Sequence, residues 1–169
     1  LYPNKQAPTV SCRLFYVTGS IHEVPGSSGL AHILEHELFK GTKKVGVTDF
    51  AKDSVLMVKE DSVMALSHKS ALAGDSARAK KYRAEYDSLV NVERQYMIKE
   101  EIWSAYQQAG GTGLNAFTTD LATAYFVTLP KNRIELFLYL ESDRMQNAIL
   151  REFYSERDVV REERRMRYD

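Results

Sequence analysis

The stretch Gly29-Leu30-Ala31-His32-Ile33-Leu34-Glu35-His36-Glu37-Leu38-Phe39-Lys40-Gly41-Thr42 decides how this chain folds. Turn-forming residues precede it, and Ser27 or Ser28 is placed to cap a helix running from about Leu30 to Lys40, with Gly41 ending it. Leu30, Leu34 and Leu38 recur every four residues and are expected to face a core. On such a helix, positions i and i+4 stand one above the other, so His32 and His36 present two imidazoles to a single point. That is the arrangement a tetrahedral zinc requires. Glu35 projects beside the pair, where a carboxylate can take a proton from a metal-activated water and return it to a leaving amine.

Working outward, the segment from Thr9 to Thr18 alternates. Val10, Cys12, Leu14 and Tyr16 point one way, Ser11 and Arg13 the other, as in a strand with one buried face. Residues 53–108 contain no proline and a single glycine, Gly74, which predicts a helical hairpin turning there. Asp75 or Ser76 is suited to cap a long second helix carrying Tyr82, Tyr86, Leu89, Tyr96 and Trp103 as a packing stripe. Gly110-Gly111-Thr112-Gly113 marks the return to strands at Leu114 to Thr118 and Thr123 to Leu129, the second with Tyr125, Val127 and Leu129 on one face. Pro130 opens a helix with Ile134, Phe137, Leu138, Glu141 and Met145 on a broad apolar face. A last helix runs from about Glu152 to the end and stops without a capping signal. Strands and helices in this order predict an α+β fold, helices packed on an antiparallel sheet.

Composition narrows the chemistry. The 169 residues suffice for one domain with a sizeable core. At 44% hydrophobic and 27% charged, the chain belongs to the globular class, and its apolar runs are too short for a membrane span. Basic and acidic residues balance at 23 each, so no overall field favours nucleic acid or an anionic membrane. Arg161, Arg164, Arg165 and Arg167 interleave with Glu162 and Glu163, the pattern of a solvated helix face. The single cysteine, Cys12, excludes an intrachain disulfide and a thiolate metal site. Transition-metal ligands must come from histidine and carboxylate. The opening Leu1-Tyr2-Pro3 lacks a methionine, which predicts a processed or truncated start.

Two histidines do not complete a catalytic site; a third protein ligand is needed, with the fourth position left for water. His22 precedes a turn, and His68 falls in the helical region. A carboxylate on the last helix is the better source. Glu156 and Glu163 lie seven residues apart, two helical turns, and share a face with Val159 and Val160 between them.

Taken together, these residues resemble the M16 family of zinc peptidases: pitrilysin, insulin-degrading enzyme and mitochondrial processing peptidase. His32-x-x-Glu35-His36 is the inverted zinc motif. Gly19-Ser20 with Glu23, Leu114-Asn115-Ala116-Phe117-Thr118 with Tyr125, and Glu156-Arg157-Asp158-Val159-Val160-Arg161-Glu162-Glu163 resemble further blocks of the family in order. The resemblance implies a metallohydrolase fold of the LuxS/MPP-like kind and one Zn2+ held by His32, His36 and Glu163. It implies Glu35 as general base and Glu156 as the acid behind the ligands that orients them. Glu162 competes for the third ligand position, but the family's spacing favours Glu163, and Glu162 points about 100° away on the helix. Manganese or cobalt could occupy the same ligands.

By the same resemblance, Asn115, Ala116 and Phe117 match an edge strand that holds an extended peptide by strand addition, with Phe117 beside the scissile bond. The implied activity is a zinc-dependent endopeptidase acting on unfolded peptides or short proteins. A catalytically silent partner or scaffold subunit of the same fold, or a zinc-binding fragment without turnover, is the alternative. Two departures stand out. Between His36 and Glu163 lie 126 residues, more than the family's usual interval, so residues 53–108 are expected to be a helical insertion. Similar insertions in some bacterial members favour the bacterial periplasm or cytoplasm over the mitochondrion. The domain's first strand and the family's related C-terminal half are also missing. Residues 1–169 are therefore expected to be a partial N-terminal catalytic domain, incomplete at both ends. It would need a homologous C-terminal domain or partner subunit and would be inactive alone.

Overall fold

The computed structural model describes residues 6–26 and 28–168. The chain forms two compact units, one of residues 1–42 with 100–169 and the other of residues 43–99. The first unit is built on three strands, β1 (Thr9–Tyr16), β2 (Thr112–Thr118) and β3 (Thr123–Pro130), antiparallel in the order β1-β3-β2. The expected alternation is present. Cys12 is buried on β1 between exposed neighbours, and Tyr125, Val127 and Leu129 on the central β3 are no more than 1% exposed. Cys12 sits across from Val127, while Leu14 and Ala116 flank Tyr125 from either side.

Four helices accompany this sheet among the described residues: α1 (Leu30–Glu37), α4 (Glu101–Gln108), α5 (Ile134–Asn147) and α6 (Phe153–Tyr168). The unit is therefore α+β with an antiparallel sheet. Helix α1 packs on α6, β2 and β3, which puts the His32–His36 segment between the last helix and the sheet. Gly19 makes the sheet's end possible. A Cβ there would stand 2.2 Å from the Thr119 carbonyl oxygen, where Ser20 and Ile21 donate their N–H groups to Thr119 and Asp120.

Several expectations are corrected. The N-cap of α1 is Gly29, in the left-handed region at φ 101°, and Ser28 makes no cap bond. Ser27 lies outside the described residues. The carboxylate of Glu23 does the capping instead, accepting the N–H groups of Gly29 at 2.7 Å and Ala31 at 2.8 Å. The helix closes at Glu37, three residues before Lys40. Of its three leucines only Leu38 is buried; Leu30 is 52% and Leu34 46% exposed. A four-residue step drifts about 40° per repeat on a helix, so the three leucines spread around it while Ala31 and Ile33 face inward. On α5 the buried face is Phe137, Leu140, Glu141 and Arg144, and Leu138 and Met145 are exposed. Phe137 and Glu141 face inward as expected, and Arg144 joins them as the buried partner of Glu141.

The second unit is a helical hairpin. Its arms, α2 (Phe50–Leu72) and α3 (Ser76–Glu93), pack on each other and turn at Gly74, whose φ of 78° suits glycine. Asp49 and Asp75 cap them, accepting from Lys52 and Arg78. A bridge between Val47 and Met97, with Thr48 donating to the Tyr96 carbonyl at 2.7 Å, ties the ends together. This unit spans 43–99. One long second helix through Trp103 is not formed: α3 ends at Glu93, and Glu100 restarts the chain in the left-handed region at φ 54°. Tyr86 is buried, but Trp103 is 38% exposed on α4, where Ile102 and Tyr106 are buried in its place. Among the described residues, no helix is long and apolar enough to cross a membrane.

Candidate metal centre and substrate cleft

The histidines one turn apart on α1 lie edge to face, ring centroids 4.9 Å apart. Glu163 reaches them from α6. Its Oε2 is 3.5 Å from His32 Nε2 and 3.8 Å from His36 Nε2. Ligand atoms of a tetrahedral zinc with bonds of about 2.0–2.2 Å stand about 3.4 Å apart, so the three donors fit such an ion in both spacing and chemistry. These are the only His, Cys, Asp or Glu side chains among the described residues grouped closely enough to hold a metal, with donor atoms within 4.8 Å. Glu162 is turned to solvent, 3.9 Å from Arg165. His22 accepts the Gly19 N–H, and His68 is exposed on the hairpin.

Behind the ligands runs a line of charge. Glu156 Oε2 is 3.2 Å from His36 Nδ1, and Glu156 Oε1 is 2.6 Å from Lys40 Nζ, which also reaches Glu152 at 3.1 Å. With Nδ1 donating to Glu156, His36 keeps Nε2 as the lone-pair nitrogen facing Glu163. The His36 hydrogen bond, against burial and helped by Lys40, holds the Glu156 carboxyl down at about 2. The same bond raises the His36 pKa despite desolvation, reinforced by the charges of Glu163, Glu156 and Glu35. Burial works against the Lys40 ammonium, but Glu156 and Glu152 outweigh it and its pKa is raised.

The cleft beside these ligands has a volume of about 460 Å³ and is lined by His32, Glu35, Ala116, Phe117 and Thr118 among others. Thr118 donates its hydroxyl to Glu35 Oε2 at 2.5 Å and also lies 3.2 Å from the Thr123 hydroxyl, which donates to the Thr18 carbonyl. The phenol of Tyr125 approaches the α1 carbonyls of Leu34 and Glu35 at 3.5 and 3.4 Å, fixing the helix to β3. Phe117 is 40% exposed at the cleft, with its ring 6.0 Å from that of Phe126. Asn115 does not line the cleft; its Oδ1 accepts the N–H of Ala116 at 2.8 Å.

His32, His36, Glu35, Glu163, Glu156, Ala116 and Phe117 are thus gathered in one place. Sequence reasoning missed Glu23, Thr118 and Lys40 as parts of it. Lys40 carried a signal, standing one helical step beyond His36, and Thr118 shares a strand face with Ala116. Glu23 stood only in the family-resembling block with Gly19-Ser20, and its capping role carried no local signal, because a cap six residues ahead depends on the loop's path.

Residues 1–56 match the family model for insulinase, peptidase family M16. A search of curated proteins finds no match. Among solved structures, the chain is similar to a protease from Helicobacter pylori, at 25% identity and a TM-score of 0.61. The likeness covers 95% of this chain and 27% of that one, so the chain spans about a quarter of that protease's length. The match to the M16 family model contains the whole of α1 and its two histidines, and the fold around them is similar to that of the Helicobacter pylori protease.

Proposed function

We propose that the protein is a zinc-dependent endopeptidase that hydrolyses peptide bonds in unfolded peptides or short proteins. The observation that carries this is the meeting of His32, His36 and Glu163, with His32 and Glu35 lining the cleft beside them. The three ligands would hold the ion, with Glu156 orienting His36 through Nδ1 and Lys40 steadying Glu156. The chemistry zinc supplies when bound is polarisation of a carbonyl and acidification of water. Glu35 serves as general base at its carboxylate, then passes the proton to the leaving amine nitrogen. Thr118 engages Glu35 Oε2, so Oε1 is the oxygen left for the proton.

β2 pairs with β3 on one side only among the described residues, and its other edge suits an extended substrate strand. Backbone hydrogen bonds made there are indifferent to side chains, which fits unfolded substrates. A substrate using the Ala116 N–H would displace the Asn115 side chain. A homologous domain or partner subunit completing the chamber is part of this reading.

The test uses the intact protein and a quenched fluorescent peptide. Cleavage is expected to disappear with a chelator, return with zinc, and fall at least about a hundredfold in Glu35→Gln while zinc stoichiometry is kept. Zinc-loaded intact protein without chelator-sensitive cleavage would instead identify a silent subunit of the same fold.

A further inference from the structure

A second depression opens from the cleft, between the first turn of α1 and the flank of α6, with a volume of about 780 Å³. Its floor is apolar, formed by Leu30, Ile33, Phe153 and Val160. Its rim is basic: Arg157, Arg161, Arg164 and Arg165 all line it, and no carboxylate does. Two of the four are engaged, Arg157 with Asp158 at 3.1 Å and Arg165 with Glu162 at 3.9 Å. Arg161 and Arg164 form no ion pair among the described residues, and Arg164 donates only to the neutral Ser28 hydroxyl, at 2.9 Å.

The groove is continuous with the cleft, since Ser28, Gly29, Val160 and Arg164 line both. The acids on the cleft side are already engaged. Glu23 caps α1, Asp120 accepts from Ser20 and Glu35 from Thr118. With Glu23 on the end of α1, the groove's positive field comes from the guanidinium groups and not from the helix terminus. A guanidinium resting on a neutral hydroxyl gives up little when a carboxylate arrives, and it can then bind that carboxylate in bidentate fashion.

We propose that this groove is a substrate subsite that selects acidic side chains flanking the scissile bond, with Arg164 and Arg161 as the specificity-determining residues. The proposal rests on the peptidase reading. It predicts that a peptide lying on the β2 edge extends past His32 into the groove and places a Glu or Asp there, against the apolar floor of Leu30 and Val160.

The experiment measures kcat/KM of the intact zinc-loaded protein on quenched peptides of one length, substituting Glu, Gln or Lys at each position around the bond. At one or two adjacent positions on one side, Glu is expected to exceed Lys by about tenfold, with the ratio shrinking as salt rises. Arg164→Glu and Arg161→Glu are each expected to lower that ratio, and together to invert it. The ratio is internal to each variant, so a general loss of activity does not imitate the result. Cleavage without charge preference at any position, or a preference that both reversals leave unmoved, would overturn the subsite while leaving the peptidase reading intact. If no peptide is cleaved, the peptidase reading fails, and fluorescence anisotropy of the same labelled Glu and Lys peptides on Glu35→Gln decides the groove. Tighter binding of the Glu peptide, lost in the double reversal, supports it; equal binding overturns it.

Discussion

Thr118 holds one oxygen of Glu35 with a 2.5 Å hydrogen bond, and its own position is set through Thr123 to the backbone of Thr18. A hydrogen bond to a charged group contributes about 1.5 kcal/mol, roughly tenfold in rate if it orients the base for the transition state. Thr118→Val keeps the shape and removes the donor, so kcat is expected to fall about tenfold with zinc affinity unchanged. An unchanged kcat would reduce Thr118 to packing. Glu37 poses a different problem one residue beyond His36. It is fully buried, neither carboxylate oxygen has a hydrogen-bond partner among the described residues, and burial, with the negative charge of Glu156 behind it, pushes its pKa up to about 8. The pKa is raised on folding, so in metal-free protein this carboxyl favours the fold most below its unfolded value of about 4.3, and that contribution is lost as pH rises through about 8. Urea unfolding in chelator at pH 5 to 8 is expected to show stability declining with pH, and Glu37→Gln to flatten the decline. Parallel curves for the two proteins would refute the assignment. Nothing in the local sequence signals this burial. Glu37 reads as a polar residue on a short helix, and only the packing of α1 on α6 and the sheet encloses it.

Elements were legible where one periodicity dominated and illegible where polar groups did the packing. The alternation in β1 and β3 and the cap at Asp75 follow from local residue chemistry, and the observed strands and the start of α3 lie close to where it predicts. Helix α5 does not follow, because its inner face is a charged network. Arg144 pairs with Glu141, donates to the Leu38 carbonyl at 3.1 Å and lies over the Tyr125 ring at 4.5 Å; Tyr106 donates to Glu141 at 3.0 Å. Arg151, just beyond α5, adds bonds to the carbonyls of Lys40 and Thr42. Two cations therefore cover the C-terminal end of α1, where the helix dipole is negative and carbonyls lack partners. The histidine-bearing helix α1 is held at one end by Glu23 and at the other by these arginines. Arg144→Met leaves Glu141 as a buried charge and is expected to cost about 3–5 kcal/mol of stability, read from chemical denaturation. Arg144→Met with Glu141→Leu should recover part of that loss. A cost under about 1 kcal/mol for Arg144→Met alone would show that the network tolerates an unpaired acid.

At the scale of the molecule, the chain brings Glu163 to His36 across 126 intervening residues, and the hairpin unit 43–99 is a little under half of that separation. Helical spacing singled out Glu156 and Glu163 as candidate partners of the histidines, and the resemblance to a family assigned their separate roles. Periodicity puts Glu156 and Glu163 on one face of a helix but does not say what that face meets. All three candidate ligands, the base and the cleft-lining strand belong to the unit that carries the sheet, which has its own buried core. A metal held by these ligands would take no ligand from the hairpin. Peptide hydrolysis demands more, because positioning an extended strand and excluding water around the scissile bond require walls on both sides of the cleft. The chain spans 27% of the length of the Helicobacter pylori protease to which it is similar, and M16 members are expected to close their chamber with a related second domain. The 169 residues expressed alone are thus expected to bind one zinc ion, with affinity lost in His32→Ala and in Glu163→Ala. Turnover of a quenched peptide should be at or near background. Zinc titration by competition with a chromophoric chelator gives the first result, and the peptide assay on the same samples gives the second. Robust chelator-sensitive cleavage by these residues alone would show that the cleft between α1, α6 and β2 is a complete catalytic unit.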